Sequence, residues 1–242
     1  MPKTHDFISI IIPGYNEEKR ILPTLRALVE FCGRNFQRYE IIFVDDGSTD
    51  KTLALVNTLA PTSHLQVVRL SKNRGKGYAV KTGMLRAHGR YRFFTDADLP
   101  YALNCFLSAM EIFDSPGCDM VVGARDLPGS YDMTVPDKPR TIASRVFSQI
   151  LNSLLKIDIR DTQCGFKGFT EEAAKRVFAA STVRGYAFDV EIFVLARKFG
   201  LNITKIPLNL VRSEGTSIRI MRDAFNMFTD ILRLYSRQRK GV

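Results

Sequence analysis

The feature that most constrains the fold of this chain is the regular alternation of short apolar runs with amphipathic segments through residues 1–100. The run FISIIIP at 7–13 is continuous and β-branched, which is typical of a strand covered on both faces of a parallel sheet. Such alternation predicts βαβ units with right-handed crossovers, and hence an α/β fold with a Rossmann-like, mostly parallel central sheet flanked by helices. The predicted strands are 7–13, 39–44, 65–70 and 91–95, and the predicted helices are 17–31 and 77–87.

The pattern is less regular after residue 98. Residues 125–139 are rich in Pro, Gly and Asp without periodicity, which predicts a long loop of functional importance. Because no internal repeat is present, we expect one domain whose second half is irregular and ends in an amphipathic basic helix. The remaining predicted elements are helices at 103–113, 141–155, 188–199 and 220–237 and strands at 120–123 and 203–211.

Composition restricts the class of protein and its partners. The 242 residues are 45% hydrophobic and 25% charged, as in ordinary folded proteins, which excludes a disordered or collagen-like chain. Lys and Arg number 35 against 25 Asp and Glu, so the formal net charge is +10 and anionic partners such as phosphates or an acidic membrane are favoured. Nucleic acid is not expected, because no motif for binding it is present and aromatic residues do not interleave with the basic runs.

Cysteine usage and hydropathy indicate the compartment. The cysteines form no CxxC pair, which argues against zinc and against a redox motif, so we expect free thiols in the cytoplasm. The sequence contains no stretch of about 18 apolar residues, so we expect no segment that spans a bilayer. The first apolar run is too short for a signal peptide. The four cysteines are Cys32, Cys105, Cys118 and Cys164.

Acidic residues follow two of the predicted strands at the point where each ends. Asp45 and Asp46 close the second strand, and Asp96 and Asp98 close the fourth. In an open α/β sheet the ligand lies outside the carboxyl ends of the strands. Several carboxylates at one edge tolerate each other best around a cation, and their hard oxygens suit Mg²⁺ or Mn²⁺. The sequence therefore indicates a metal-assisted ligand site at this edge.

The segment SKNRGKG at 71–77 is a candidate cradle for a pyrophosphate. Its two glycines allow close backbone approach, and Arg74 and Lys76 supply positive charge. The sequence contains no GxGxxG after the first strand and no GxxxxGK[ST], which disfavours a dehydrogenase and a P-loop ATPase. Taken singly, each of these motifs is more often a surface turn or a helix start. Their order at successive strand ends is what favours a site.

Three of these motifs resemble a known enzyme family. The segments IIPGYNEE at 11–18, VDDGS at 44–48 and DAD at 96–98 are similar to the family 2 inverting glycosyltransferases of the GT-A fold. Within that family, IRDTQCGFK at 159–167 resembles the branch that transfers glucose from UDP-glucose to dolichyl and polyprenyl phosphates. The segments AFDVE at 187–191 and EGTS at 214–217 are similar to the same branch.

The resemblance implies roles for the matching positions of the donor half, residues 1–100. Asp46 would contact the uracil, and Lys76 would lie near the nucleotide. Asp96 would face the ribose or the metal, and Asp98 would bind the Mg²⁺ or Mn²⁺ that bridges the donor pyrophosphate. The implied nucleotide-sugar site consists of Pro13, Tyr15, Glu17, Asp46, Lys76 and Asp96, and the implied metal ligands are Asp96 and Asp98.

The acceptor half, residues 101–218, would supply the remaining groups. The resemblance implies that Arg125 and Lys167 hold the acceptor phosphate, with Asp161 and Asp189 as acidic candidates beside it. For Asp189, an orienting hydrogen bond or a helix cap is an equally good interpretation.

One position near the end departs from the pattern of the branch. Relatives often read Gly-Ser-Lys where this chain has Gly215-Thr216-Ser217, so we expect Arg212 or Arg219 to supply the missing cation. These two arginines therefore count as acceptor-side candidates.

A lipid acceptor requires contact with a membrane. Arg140 and Arg145 belong to the basic set around the apolar helix at 141–155, and residues 219–242 form the basic C-terminal helix. Such helices can lie in the headgroup plane of an anionic membrane, so we expect a peripheral protein on the cytoplasmic face. The alternative is that both apolar faces pack on the domain itself. For the reaction, the alternatives are another donor, such as GDP-mannose or UDP-GlcNAc, or a soluble phosphorylated acceptor.

Overall fold

The computed structural model describes residues 4–59, 64–125, 127–130, 164–211, 229–231, 234 and 236. Seven strands form one sheet within these residues. The strands are β1 (Thr4–Gly14), β2 (Phe36–Asp45), β3 (Leu65–Arg69), β4 (Tyr91–Phe94), β5 (Met120–Ala124), β6 (Lys167–Thr170) and β7 (Ile203–Pro207). The helices are α1 (Ile21–Asn35), α2 (Thr52–Leu59), α3 (Lys76–Arg86), α4 (Cys105–Phe113), α5 (Glu171–Ala180) and α6 (Phe188–Lys198).

The order of strands across the sheet is β3-β2-β1-β4-β6-β5-β7. Every pair is parallel except those of β6, which runs antiparallel to both β4 and β5. The predicted α/β fold with a mostly parallel sheet is therefore confirmed. The strand β6 and the helix α5 were not predicted, because β6 is four residues long and contains Lys167 and Gly168 instead of an apolar run.

The core lies on both faces of the sheet. Ile11 of β1 packs with α3, α5 and α6 on one face, whereas Ile10 and Ile12 pack with α1 and α4 on the other. This division follows from the period of two along a strand, which sends successive side chains to opposite faces. A strand covered on both sides is mainly apolar, which explains the run of isoleucines in β1, and the buried Ser9 within it is satisfied by donating to Glu40 Oε1 at 2.6 Å.

Several boundaries differ from the predicted ones. The helix expected from residue 103 begins at Cys105, and the strand expected over 203–211 ends at Pro207, after which Leu210 forms only an isolated bridge to Tyr101. The helix expected at 141–155 lies outside the described residues, as does most of the loop at 125–139. All four cysteines have free thiols, as expected.

The C-terminal helix is described only at residues 229–231, 234 and 236, which are helical. Ile231 and Leu234 are buried in the same cluster as α3, α5 and α6. At these two positions the apolar side chains pack on the domain, which is the alternative that the sequence left open. Within the described part of the chain, no helix is both long enough and apolar enough to cross a bilayer.

Candidate functional site

The carboxyl ends of β1, β2 and β4 meet at one edge of the sheet. Gly14 of β1 is paired in register with Asp45 of β2, and Ile11 is paired with Phe94 of β4. The residue after β2 continues this contact, because the Asp46 backbone N–H donates to the Gly14 carbonyl at 2.8 Å. The predicted acidic residues are thereby gathered at one rim, as expected for a ligand site of an open α/β sheet.

The two loops that leave β1 and β2 are tied together by side-chain caps. Asn16, at a left-handed φ of 56°, donates its backbone N–H to Ser48 Oγ at 3.0 Å and accepts from the Thr49 N–H at 2.9 Å. The Glu17 N–H donates to Thr52 Oγ1 at 2.7 Å. Asparagine tolerates this backbone conformation better than most residues do, so the sequence NEE fits the bend that places Glu17 at the rim.

Asp46 organises the loop at 71–77. Its two carboxylate oxygens accept from the backbone N–H groups of Arg74 and Gly75, both at 2.8 Å. The carboxyl is buried, and burial raises its pKa above the usual value, although the two N–H donors oppose that rise. The contact between Asp46 and a uracil therefore stays a prediction, whereas its bonds to the loop are present in this structure.

The glycines of the same loop allow it to lie against the segment before α6. A Cβ at Gly75, whose φ is 96°, would come within 2.5 Å of the Arg184 carbonyl oxygen, and a Cβ at Gly77 would come within 2.5 Å of Phe188 Cβ. Glu191 of α6 fixes that segment, because its carboxylate accepts from the N–H groups of Thr182 and Val183 and from the Thr182 hydroxyl. The loop at 71–77 therefore packs against residues 183–188, a segment whose own position Glu191 fixes.

Lys76 begins α3 at the rim and pairs with Asp96. Its Nζ lies 2.5 Å from Asp96 Oδ1, and the two side chains are 22% and 28% exposed. Burial lowers the pKa of Lys76, but the Asp96 and Asp189 carboxylates raise it by more, so the ammonium is charged at neutral pH. The sequence placed both residues in the nucleotide-sugar site, and the structure brings them into contact.

Asp98 has the features of a metal ligand. Its Oδ1 is buried and has no hydrogen-bond partner among the described residues. Burial raises its pKa, and the neighbouring Asp96 carboxylate raises it further. Thr24 of α1 holds the turn between these two carboxylates, because its Oγ1 donates to the Ala97 carbonyl at 2.7 Å. An orphaned carboxylate oxygen of this kind fits a hard divalent cation.

The rest of a metal shell would have to come from elsewhere. Within the described residues, no group of three His, Cys, Asp or Glu side chains could hold an ion. Glu17 lies close enough for the Asp98 charge to raise its pKa, which burial also raises, but its carboxylate pairs with Arg20. Asp96 and Asp98 therefore fit a metal that takes its other oxygens from a diphosphate and from water, as Mg²⁺ commonly does.

The segment 164–167 lies directly against the acidic rim. A Cβ at Gly165 would come within 2.1 Å of Asp96 Oδ2, so the glycine backbone lies directly against this carboxylate. Tyr101 holds the segment in place, because its hydroxyl accepts from the Gly165 N–H at 3.2 Å. The sequence did not single out Tyr101, and its position three residues after Asp98 was the only available signal.

Lys167 and Asp189 form a buried ion pair. Lys167 Nζ donates to Asp189 Oδ1 at 2.6 Å and to the Cys164 carbonyl at 2.7 Å, and the side chain is 0% exposed. Burial raises the pKa of Asp189, while Lys167 and Lys76 lower it. The role of Lys167 as a ligand of the acceptor phosphate stays a prediction. In this structure its ammonium is enclosed and bound to Asp189.

The other predicted residues are distributed as follows. Pro13 is buried at the end of β1, Tyr15 is exposed beside it, and Arg125 is exposed directly after β5. The Arg125 charge lowers the pKa of Tyr101, which burial raises strongly, so Arg125 is placed on the Tyr101 side of the rim. The remaining candidates lie outside the described residues, namely Asp161, Arg140, Arg145, Arg212 and Arg219.

Comparison with known proteins agrees with this geometry. Residues 9–178 match the model of the glycosyl transferase family 2. The chain is 32% identical to the dolichyl-phosphate beta-glucosyltransferase of Dictyostelium discoideum, across all of this chain and 77% of that protein. It is 30% identical to the human enzyme of the same name, across 97% of this chain and 76% of that protein.

A solved structure resembles the fold over nearly the whole chain. Glucosyl-3-phosphoglycerate synthase from Mycobacterium tuberculosis superposes with a TM-score of 0.69 at 19% identity, covering 96% of this chain and 80% of that one. Its crystal contains Mn²⁺, UDP-glucose and phosphoglyceric acid. At this level of identity the likeness concerns the fold.

Proposed function

The chain belongs to the glycosyl transferase family 2, and we propose that it transfers glucose from UDP-glucose to a polyprenyl phosphate such as dolichyl phosphate, with inversion at the anomeric carbon. The full-length similarity to dolichyl-phosphate beta-glucosyltransferases supports the sugar and the acceptor. The UDP-glucose in the crystal of the mycobacterial synthase supports the donor.

One contact carries this proposal, the backbone of Gly165 against the Asp96 carboxylate. Asp96 belongs to the acidic pair at the end of β4, and Gly165 belongs to the segment that resembles the polyprenyl-phosphate branch. The contact joins the candidate donor site to the candidate acceptor site. A transferase needs this arrangement, because the nucleophile must lie within reach of the sugar.

The donor would be held at the rim of β1, β2 and β4. Lys76 would contact the diphosphate, for which its charge and its position at the start of α3 are suited. Asp46 would act on the nucleotide through the 71–77 loop, whose shape its hydrogen bonds to Arg74 and Gly75 determine. Pro13, buried at the end of β1, and the exposed Tyr15 would border the nucleoside.

Asp96 and Asp98 would hold a divalent cation, Mg²⁺ or Mn²⁺. When bound, such a cation neutralises the charge that develops on the leaving diphosphate. Asp98 contributes an oxygen that no other described group occupies, and Thr24 restrains the turn that carries it. The chain thus supplies two carboxylates on one restrained turn, as a preorganised cation site requires.

The acceptor phosphate would be positioned by cations of the second half. A phosphate oxygen is already anionic at neutral pH, so the nucleophile needs orientation more than it needs a general base. Arg125, exposed after β5, is placed to provide that orientation. Lys167 and Asp189 form an ion pair in this structure, so we assign Asp189 the role of orienting Lys167 and the nearby Lys76. Asp161 is the other acidic candidate.

The test is transfer of label from sugar nucleotides into the organic phase. Purified protein, Mn²⁺ and a short polyprenyl phosphate would be incubated with UDP-glucose, UDP-GlcNAc or GDP-mannose, each labelled in the sugar. We expect lipid-phase label from UDP-glucose and its loss in Asp98→Ala, with Asp114→Ala as a control on the exposed end of α4. Lipid-phase label from a different donor would overturn the assignment of the sugar.

A soluble acceptor is the second candidate function. The fold likeness to a synthase that binds phosphoglyceric acid favours it, because that acceptor is a small phosphorylated acid. The same incubation with 3-phosphoglycerate in place of the lipid separates the two candidates. Aqueous glucosylated product without lipid-phase label would support this function.

A polyprenyl acceptor would place the protein peripherally on the cytoplasmic face of a membrane. The net charge of +10 supports attraction to anionic lipid. Since Ile231 and Leu234 pack on the domain, the segment 141–155, which the sequence predicts to be an apolar helix beside Arg140 and Arg145, is the better candidate for this contact. Flotation with vesicles containing phosphatidylserine tests the contact, and protein left at the bottom at low salt would contradict it.

A further inference from the structure

The Lys76 ammonium pairs with the Asp96 carboxylate. Its Nζ lies 2.5 Å from Asp96 Oδ1. The backbone of Gly165 lies against the same carboxylate, where a Cβ would approach Oδ2 to 2.1 Å and Oδ1 to 3.2 Å. A metal that uses Asp96 would therefore share this carboxylate with the Lys76 ammonium.

A single oxygen cannot serve both cations equally well. A divalent metal at Oδ1 would lie within a few ångströms of the ammonium, and like charges at that distance repel. Asp98, by contrast, offers an oxygen without a hydrogen-bond partner among the described residues. The two carboxylates of the acidic pair thus differ: Asp98 has an oxygen without a hydrogen-bond partner among the described residues, whereas Asp96 is already paired with Lys76.

We propose that Lys76 is a resident cation that competes with the divalent metal for Asp96, so that the metal binds firmly only after the donor diphosphate has drawn the ammonium away. The inference rests on the proposed function, because it assumes a diphosphate donor and a metal at the Asp96–Asp98 pair. It assigns Lys76 a second role, in which the lysine sets the order of binding.

The surroundings of Lys76 provide a place for the released ammonium. Asp189 lies on the same side and interacts electrostatically with Lys76. Lys167 fixes the Asp189 carboxylate from behind, through an ion pair of 2.6 Å. The Phe188 ring centroid lies 5.8 Å from Lys76 Nζ. An ammonium that leaves Asp96 therefore still has the Asp189 carboxylate as a negative neighbour.

The test measures Mn²⁺ binding to the metal-free protein without any donor, by calorimetry or by the electron paramagnetic resonance signal of free Mn²⁺. Lys76→Met removes the competing cation, so we expect it to bind Mn²⁺ about tenfold more tightly than the wild type, the size of one charged hydrogen bond. Lys76→Arg keeps the charge and should bind Mn²⁺ as the wild type does. Lys175→Met, which removes an exposed charge from α5, is the matched control.

A second measurement repeats the titration with saturating UDP. In the wild type UDP should increase the affinity for Mn²⁺ strongly, whereas in Lys76→Met the increase should be smaller, because no ammonium remains to be displaced. Lys76→Gln serves if Lys76→Met does not fold, and circular dichroism checks both.

Three outcomes would overturn the inference: equal Mn²⁺ affinity in Lys76→Met and wild type, weaker affinity in the variant, or no Mn²⁺ binding by either protein with UDP present. The proposed function fails separately. If the wild type bound Mn²⁺ and UDP but transferred no sugar, the proposed glucosyl transfer would be disproved. Tighter Mn²⁺ binding in Lys76→Met would still support the competition between Lys76 and the metal for Asp96.

Discussion

The backbone of Gly165 lies so close to the carboxylate of Asp96 that a Cβ at position 165 would meet Asp96 Oδ2 at 2.1 Å and the carboxyl carbon at 2.7 Å. Asp96 cannot retreat freely from such an atom, because its other oxygen is held by Lys76 at 2.5 Å. One glycine therefore determines where the first carboxylate of the acidic pair lies, and it does so from the acceptor half of the chain.

We expect Gly165→Ala to lower kcat about hundredfold, because a displacement of Asp96 by about one ångström misplaces the donor. The measurement is steady-state glucosyl transfer, with thermal unfolding as a check on folding. Gly33→Ala in α1 is the matched control, since the nearest atom to its Cβ would be Tyr39 Oη at 3.6 Å. Unchanged kcat in Gly165→Ala would show that the rim tolerates a shift of Asp96.

The strand ends account for most of what could be predicted. Asp46, Asp96 and Asp98 follow short, mainly apolar strands, and a parallel sheet brings the ends of such strands to one edge regardless of the loops between them. The fold and the composition of the rim are thus consequences of local pattern. The roles predicted for residues 101–218 come from the family resemblance, because periodicity alone does not indicate them.

Contacts that depend on packing between distant segments could not be predicted. The resemblance implies a phosphate-binding role for Lys167, which stays a prediction, but it does not indicate that β6 directs the side chain inward, where its Nζ lies 5.3 Å from the Phe94 ring centroid and 5.5 Å from that of Phe193. A lysine inside a four-residue strand carries no local sign of this burial. Likewise, nothing near Tyr101 in the sequence indicates that its hydroxyl holds Gly165.

Removal of the Asp98 charge should abolish dependence on the metal together with activity. Asn at this position keeps the shape of the side chain but binds a hard cation weakly. We therefore expect kcat of Asp98→Asn to be about a hundredfold or more below that of the wild type. Activity against Mn²⁺ concentration is the measurement, with Asp114→Asn, an exposed residue at the end of α4, as control. An unaltered Mn²⁺ curve in Asp98→Asn would mean that Asp98 is not a ligand.

Glu191 supports the 71–77 loop indirectly, through the segment before α6 that packs against this loop. Substitution of Glu191 should therefore weaken donor binding. In Glu191→Gln the N–H groups of Thr182 and Val183 and the Thr182 hydroxyl face one neutral amide oxygen instead of two charged oxygens, so their hydrogen bonds to residue 191 should weaken by about 1 kcal/mol. The segment that backs Gly75 and Gly77 would loosen, and KM for UDP-glucose should rise more than kcat falls.

The control for this prediction is Glu172→Gln, an exposed residue in the first turn of α5. Its free energy of unfolding should stay within about 0.5 kcal/mol of the wild type. Urea unfolding and a titration of KM test both variants. If Glu191→Gln changed stability but left KM for UDP-glucose unaltered, the inference that Glu191 supports donor binding through the 71–77 loop would be disproved.

The buried pair of Lys167 and Asp189 predicts a variant whose stability depends on pH. Lys167→Met leaves the Asp189 carboxylate buried without its hydrogen-bonded partner, which costs about 3–5 kcal/mol when the carboxyl is charged. The pKa of Asp189 in the folded protein, already raised by burial, then rises further above its value in the unfolded chain. The folded state therefore holds a proton that the unfolded state has lost.

It follows that the stability deficit of Lys167→Met is greatest above the folded pKa of Asp189 and shrinks as the pH falls toward the unfolded pKa, so the difference in unfolding free energy from the wild type should narrow as the pH is lowered. The double variant Lys167→Met/Asp189→Leu removes both charges and should recover much of the loss at all pH values. Urea unfolding of the three proteins at a series of pH values is the measurement. A deficit independent of pH, or a double variant as unstable as the single one, would show that Lys167 stabilises the fold by packing against Phe94 and Phe193 and not through Asp189.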